Sequence, residues 1–187
     1  MRKQQREAIL ALLEETYMGT ETALNYSTPF ELLVAVIMSA QCTDERVNKI
    51  TARIFPKYNT PEKMGALSQE QLEEEIRDCG LFRSKAKNLL ATCKMLTEEY
   101  NSVIPDTVEE LMKLPGVGKK TANVVASIVY KVPAIAVDTH VFRVSHRLGL
   151  AKGDDPLAVE KELQKAIPKN KWSDAHHWLI WHGRKIC

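Results

Sequence analysis

The stretch LPGVGKKTANVV, residues 114–125, joins a short glycine-containing turn directly to an apolar run with helical spacing. The preceding residues PDTVEELMKL also have a helical pattern, so the sequence predicts two helices joined by a tight turn over about residues 107–130. Pro115 is expected to end the first helix, and Gly116 and Gly118 can both adopt positive φ at little steric cost. This helical hairpin is the starting point for the fold class.

The rest of the chain shows the same helical periodicity. Ser68 is expected to cap a helix that ends at Gly80, and the apolar run over residues 30–40 reads as a buried helix. The only candidate strand is VPAIAV, residues 132–137. The sequence therefore predicts an all-α protein of about ten helices. The longest apolar run is shorter than the roughly 18 residues that a membrane span needs, so we expect no membrane association.

The charge balance is only mildly basic. The 187 residues contain 26 Lys and Arg against 24 Asp and Glu, a net charge of +2, which does not by itself indicate a nucleic-acid partner. The N-terminal segment lacks the apolar run of a secretory signal, so we expect a cytoplasmic protein. Cys42, Cys79 and Cys93 have no metal-ligand spacing and are expected to be reduced thiols.

The glycine turn has the properties of an anion-binding site. Without side chains at Gly116 and Gly118, backbone N–H groups can approach a phosphate oxygen, and the N-terminus of the following helix adds a positive dipole end. Lys119 and Lys120 add positive charge at the same place. The alternative is an ordinary turn between antiparallel helices that needs glycine only for closure. We expect the turn to bind phosphates of the nucleic-acid backbone.

Two charged residues are candidates for chemistry. A helix N-terminus and the neighbouring Lys119 both disfavour an ammonium ion at Lys120, and so favour the neutral amine that a nucleophile requires. Lys120 could instead be a second phosphate contact. Asp138 stands just before the helical segment THVFRVSHRLGL, where aspartate is a preferred N-cap. A carboxylate at that position could also stabilise positive charge that develops on a sugar.

Five motifs in order carry a family resemblance. They are SAQCTD (39–44), GLFRSKAKNL (80–89), LPGVGKKTANVV (114–125), AIAVDTHVFRVSHRLGL (134–150) and HHWLIWHGRKIC (176–187). Together they resemble the helix-hairpin-helix family of DNA glycosylases and AP lyases, most closely a bacterial enzyme of that family, over nearly the whole chain. A Gly-x-Gly turn alone is weak evidence, but the ordered set is specific.

The resemblance implies roles for individual residues. The residue at the Lys120 position is the nucleophile, and the aspartate at the Asp138 position is catalytic. The glutamine and leucine matching Gln41 and Leu81 enter the DNA duplex, the first filling the gap left by the extruded base and the second acting as a wedge. Without the resemblance, both would be unremarkable polar and packing residues. Further DNA-contact candidates are Asp44 and His140.

The resemblance also implies a domain organisation and a cofactor. A six-helix domain over residues 22–132 would contain the hairpin, and a second domain would combine residues 1–21 with 133–187. DNA would bind in a groove between the domains, with the lysine on one domain and the aspartate on the other. Cys187 matches the first of four ligands of a [4Fe–4S] cluster. The other three ligands follow it in the family, so we expect a truncated chain without the cluster.

The function implied is base excision repair. The chain would act as a monomer on double-stranded DNA containing a damaged base or an abasic site, removing oxidised pyrimidines and then cutting the strand through a lysine Schiff base. Two alternatives are a non-catalytic helix-hairpin-helix DNA-binding module and an inactive truncated fragment. An adenine-specific relative is disfavoured because Lys120 occupies the nucleophile position.

Overall fold

The structure is a computed structural model that describes residues 1–187, and it is built of α-helices without a β-strand. No helix combines the length and apolar character needed to cross a lipid bilayer. The predicted all-α class is confirmed. The helices are α1 Lys3–Tyr17, α2 Pro29–Met38, α3 Asp44–Ile54, α4 Pro61–Gly65, α5 Gln69–Glu75, α6 Phe82–Glu99, α7 Val108–Leu111, α8 Lys119–Tyr130, α9 Thr139–Arg147, α10 Pro156–Ala166 and α11 Trp172–Lys185, with a 3₁₀ turn at Lys169–Lys171.

Side-chain caps define where several helices begin. The Thr28 hydroxyl accepts a hydrogen bond from the Glu31 N–H at 3.1 Å, and the Glu31 carboxylate accepts one from the Thr28 N–H at 3.1 Å. Ser68 and Gln71 form the same reciprocal pair at the start of α5. Such capping boxes satisfy the N–H groups that the first helical turn leaves unpaired, so these helix starts follow directly from sequence.

The chain packs as two compact units. The internal unit, Ala23–Val129, is built around α2, whose residues from Phe30 to Met38 are all buried, and around α6, which packs against α4 and α5. The terminal unit combines Met1–Thr22 with Tyr130–Cys187. In it α11 packs against α1 and α9 around a separate apolar core.

The helix after Ser68 is shorter than the sequence predicts. It ends at Glu75, and Gly80 lies in the following turn without the positive φ of a helix-ending glycine. Two arginines of α3 explain the early end. Arg53 donates to the Glu75 carbonyl at 3.0 Å and Arg46 to the Asp78 carbonyl at 3.3 Å, so side chains rather than a further helical turn satisfy these oxygens.

Two other expectations differ from the structure. α7 ends at Leu111, and Pro115 lies inside the turn rather than ending the helix. The candidate strand at 132–137 is an extended segment, and Ala134 to Val137 are buried in it without forming a ladder. Its apolar run reflects burial between helices, a pattern that periodicity alone does not distinguish from a strand. The four cysteines form no disulfide bond.

Candidate active site and nucleic-acid interface

The two glycines of the turn between α7 and α8 have different roles. Gly116 has φ of +77°, and a Cβ atom there would lie 2.9 Å from Asn88 side-chain atoms. Gly118 has no positive φ, and a Cβ there would meet nothing within 4 Å. Only Gly116 is therefore required by the fold, which corrects the expectation of positive φ at both. The space beside Gly118 is open to a ligand.

Helix α6 holds this turn in place. The buried Thr92 hydroxyl donates a hydrogen bond to the Pro115 carbonyl at 2.9 Å. One helical turn earlier, Asn88 packs against Gly116. A buried hydroxyl bonded to a loop carbonyl restrains the backbone on both sides of it. The glycine turn is therefore presented by a rigid helix.

Lys119 and Lys120 are the first two residues of α8. Both side chains are exposed, while Ala122 and Val125 of the same helix are buried. Lys120 therefore stands on the solvent side of the first turn, next to the open space at Gly118. Water surrounds an exposed side chain, so the protein alone does not shield this amine. A bound partner would have to exclude the water.

Asp138 is the N-cap of α9, as its sequence context predicts. Its Oδ1 atom accepts a hydrogen bond from the Val141 N–H at 2.7 Å, and the residue is half-buried. The buried extended segment Ala134 to Val137 leads into it. The cap uses Oδ1 and leaves Oδ2 for another contact. This hydrogen bond ties the carboxylate to the first turn of α9.

Gln41 and Leu81 lie in two turns that touch each other. Both residues have left-handed backbone conformations, with φ of 53° and 58°, and both are exposed. Between them, a Cβ atom at Gly80 would lie 2.8 Å from the Gln41 carbonyl oxygen. Left-handed conformations are costly for residues other than glycine, and they concentrate at functional sites. The structure therefore brings together two residues that the sequence separates by forty positions.

Asp44 and His140 have mainly structural surroundings. Asp44 is the first residue of α3, after the Thr43 cap, and is half-buried. His140 Nδ1 lies 3.1 Å from the Arg143 guanidinium, and its ring packs against Gly183 of α11. Arg143 in turn donates to the Gly183 carbonyl at 3.0 Å. Their roles in DNA contact remain predictions.

Comparison with known proteins identifies the family. Residues 34–169 match the family profile described as HhH-GPD superfamily base excision DNA repair protein. Endonuclease III of Rickettsia prowazekii is 50% identical over 187 residues, which is all of this chain and 88% of that protein. The chain belongs to the endonuclease III family. Endonuclease III of Bacillus subtilis is also 50% identical, over 98% of this chain and 84% of the relative.

Solved structures agree with the endonuclease III assignment. A trapped endonuclease III–DNA covalent intermediate has a TM-score of 0.94 and 52% identity, covering 98% of this chain and 87% of that one. A thermostable thymine-DNA glycosylase shares the fold at a TM-score of 0.86 and 20% identity. The predicted fold and the predicted enzyme class, a DNA glycosylase and AP lyase of base excision repair, are confirmed.

The residues present do not make up the iron–sulfur site expected for an endonuclease III. A [4Fe–4S] cluster takes four thiolates, and the chain has no group of three or more His, Cys, Asp or Glu side chains arranged to hold a metal ion. The Arg147 guanidinium donates to the Cys187 sulfur at 3.0 Å and lowers the pKa of that thiol. One cysteine is not a cluster site, so no step of the reaction is derived through iron.

Sequence reasoning missed one buried residue next to the two turns that carry Gln41 and Leu81. Lys85 of α6 is 4% exposed, and its ammonium donates hydrogen bonds to two carbonyls and to the Cys79 sulfur. A lysine in a sequence normally indicates a surface position. A signal existed, because Lys85 precedes Leu89 by four residues and Cys93 by eight, which places it on the buried face of the helix.

Proposed function

We propose that this chain removes oxidised pyrimidines from double-stranded DNA and then cuts the strand, with Lys120 as the nucleophile for both steps. The observation that carries this proposal is the exposed Lys120 amine on the first turn of α8, beside the open space at Gly118. The relative trapped as a covalent intermediate with DNA supports covalent chemistry of this kind.

The chemistry needs only an amine and a sugar. Lys120 Nζ bonds to C1′ as the bond from C1′ to the base breaks, and the base leaves with the electron pair and takes up a proton. Ring opening then gives a protonated imine between Nζ and C1′. The imine acidifies the C2′ proton, and its loss forms a C2′–C3′ double bond as the C3′–O bond breaks. Water finally releases the sugar fragment from the lysine.

Asp138 is proposed to assist the first step. A carboxylate can accept the proton that the attacking amine loses, or it can stabilise positive charge on the sugar as the base departs. The α9 cap supports either role, because it fixes the carboxylate through Oδ1 and keeps Oδ2 available. A fixed charge requires little reorganisation during the reaction, which is what makes such groups effective in transition-state stabilisation.

The remaining predicted residues are proposed to hold the DNA. The N–H groups at Gly116 and Gly118, together with Lys119, would bind backbone phosphates. The exposed Gln41 and Leu81 side chains would occupy the space that the extruded nucleotide leaves, which offsets part of the cost of unstacking. Asp44 and His140 are proposed as weaker contacts.

The proposed partner is duplex DNA bound by a monomer. A relative solved as a non-covalent endonuclease III–DNA complex, at 52% identity and a TM-score of 0.96, supports this choice of partner. DNA repair implies the compartment that holds the chromosome, so we propose a cytoplasmic protein acting at the bacterial nucleoid. The proposed absence of a cluster in this chain can be checked by its iron content.

The test is borohydride trapping on a duplex that contains one abasic site. Borohydride reduces an imine between protein and sugar to a stable adduct. We expect an adduct with the natural chain, none with Lys120→Ala and none with Lys120→Arg. Arginine keeps a positive charge that can bind phosphate but does not form the imine, so it separates nucleophile from phosphate contact. Lys119→Ala is the matched neighbour and should still form the adduct at saturating protein.

Each outcome decides between the candidates. An adduct that survives Lys120→Arg would show that another amine is the nucleophile. DNA binding by the natural chain without any adduct would favour a non-catalytic DNA-binding module. Loss of the adduct in both Lys120 variants, with binding retained by Lys120→Arg, supports the proposed lyase.

A further inference from the structure

Lys85 connects the two turns that carry Gln41 and Leu81. Its ammonium donates to the Met38 carbonyl at 2.8 Å, to the Ala40 carbonyl at 2.5 Å and to the Cys79 sulfur at 3.2 Å. An ammonium has three donors, so these three neutral acceptors satisfy it completely. Met38 ends α2 and Ala40 lies in the turn before Gln41, whereas Cys79 lies in the turn before Leu81.

A second contact joins the same two turns. The backbone of Gly80 approaches the Gln41 carbonyl so closely that any Cβ atom would collide with it. The Cys79 thiol also donates to the Met38 carbonyl at 3.3 Å, and burial raises the pKa of this thiol, which keeps it neutral. Gln41 and Leu81, both with left-handed backbone, therefore lie in two short turns that are joined by contacts of Lys85, Gly80 and Cys79.

We propose that Lys85 is a positioning residue for the extrusion of a damaged base. It holds the Gln41 and Leu81 side chains at the spacing needed for both to enter the duplex together. The inference rests on the proposed function, since it assigns a use to the DNA-inserting residues of the same site. Lys85 itself touches neither DNA nor the reacting sugar. It acts through the Met38 and Ala40 carbonyls, which precede Gln41, and through the Cys79 sulfur, which precedes Leu81.

The charge at this position supports a role beyond packing. A buried ammonium without a carboxylate partner is costly, and an apolar side chain of similar length would fill the same volume. What an apolar side chain does not do is donate hydrogen bonds to both turns at once. Without the ammonium, the Ala40 carbonyl would lose this donor and the Met38 carbonyl would keep only the weak Cys79 thiol donor, which would loosen the turns. Left-handed residues persist only where their surroundings hold them.

Two variants perturb the spacing by independent routes. Lys85→Met keeps the length of the side chain and removes its donors. Gly80→Ala leaves the Lys85 side chain unchanged and pushes the second turn away from the Gln41 carbonyl. Lys94→Met is the matched control, because Lys94 is an exposed lysine on the same helix. Thermal melting checks that each variant folds. If Lys85→Met does not fold, the comparison is made with Gly80→Ala alone.

The readout compares two substrates in single-turnover reactions. One is an oxidised pyrimidine in a duplex, which must be extruded, and the other is an abasic site in single-stranded DNA, where no duplex has to be opened. We expect both variants to lower the rate on the duplex lesion by roughly 10- to 100-fold. The rate on the single-stranded abasic site should stay within about twofold of the natural chain. The control should change neither.

A double-mutant cycle links Lys85 to the inserting residues. In a chain that already carries Gln41→Ala and Leu81→Ala, the Lys85→Met change should produce no further loss on the duplex lesion. Equal losses on both substrates, or an additive loss in the cycle, would overturn the positioning role. If the natural chain is inactive on both substrates, the proposed function itself fails. This result differs from equal losses in a variant and from an additive loss in the cycle, which overturn only the positioning role.

Discussion

Asp138 shows how one side chain can serve the fold and the chemistry at once. One carboxylate oxygen caps α9 through the Val141 N–H, at 2.7 Å. The proposed catalytic role needs a negative charge, whereas the cap needs only an acceptor oxygen. Asparagine provides the acceptor without the charge and is as good an N-cap as aspartate. The two roles are therefore separable by substitution.

We expect Asp138→Asn to retain the natural stability and lose activity. Its free energy of unfolding in urea should lie within about 0.5 kcal/mol of the natural chain, while Asp138→Ala should lose roughly 0.5–2 kcal/mol with the cap. Both variants should release a damaged base at least about 100-fold more slowly in single-turnover reactions. Full activity of Asp138→Asn would show that the carboxylate serves only as a cap.

Some residues of the site can be read from sequence and others cannot. The positions of Asp138 and Lys120 at the starts of α9 and α8 were predicted from local helix-start signals, whereas their catalytic roles come from the family resemblance. The left-handed backbone at Gln41 and Leu81 was not predictable, because neither residue type favours it and the restraint comes from groups distant in sequence. The burial of Lys85 depends in the same way on carbonyls of another turn.

At the scale of elements, one face of α6 supports both turns of the candidate site. Lys85 contacts the turn before Gln41, Asn88 contacts Gly116, and Thr92 donates to the Pro115 carbonyl. The spacing of three and then four residues places these side chains along one stripe of the helix. The residues proposed to enter the duplex and the turn proposed to bind phosphate are thus positioned by one helix.

The turn between α7 and α8 gives a prediction from its two glycines. Gly116→Ala should destabilise the fold by about 1–2 kcal/mol or more, because its φ is left-handed and the new methyl group would meet Asn88. Gly118→Ala should cost less than about 1 kcal/mol, since the position is open. The same change should weaken DNA binding roughly tenfold by blocking backbone N–H groups from a phosphate.

Urea unfolding and fluorescence anisotropy with a labelled abasic duplex measure the two effects. Each variant is the control for the other, since both add one methyl group to the same turn. If Gly118→Ala binds DNA as tightly as the natural chain, the phosphate contact does not lie at this glycine. If Gly116→Ala is fully stable, the turn is less constrained than its geometry indicates.

Helix starts were more predictable than helix ends. α8 ends at Tyr130, where the predicted hairpin also ends, and Ser68 and Asp138 act as the expected caps. Starts are encoded locally by a side chain that bonds a nearby N–H. The end of α5 depends on Arg46 and Arg53 of α3, which capture its following carbonyls. Such long-range contacts leave no local signal.

At the scale of the whole molecule, the charge balance is nearly even, with a net charge of +2. DNA affinity must therefore come from a few well-placed cations and backbone donors rather than from a general positive field. Binding should still weaken as salt rises, because each neutralised phosphate releases a counterion. The slope of log binding constant against log salt is proportional to the number of phosphate contacts, so the contribution of a single lysine can be measured.

We expect Lys119→Ala to reduce the slope of log binding constant against log salt by about 1, which corresponds to one lost phosphate contact. Lys3→Ala is the control, because Lys3 is an exposed lysine of α1 that lies 3.8 Å from Glu7. It carries the same charge, so a similar fall in slope for both would indicate a general field effect. Anisotropy titrations on an abasic duplex at several salt concentrations supply the slopes. Lys119→Ala should also cut the bound duplex at the natural single-turnover rate, because the proposed phosphate contact affects binding while the proposed nucleophile, Lys120, is unchanged. A slope unchanged by Lys119→Ala, together with a slower bound-state rate, would assign Lys119 to catalysis and contradict its proposed role as a phosphate ligand.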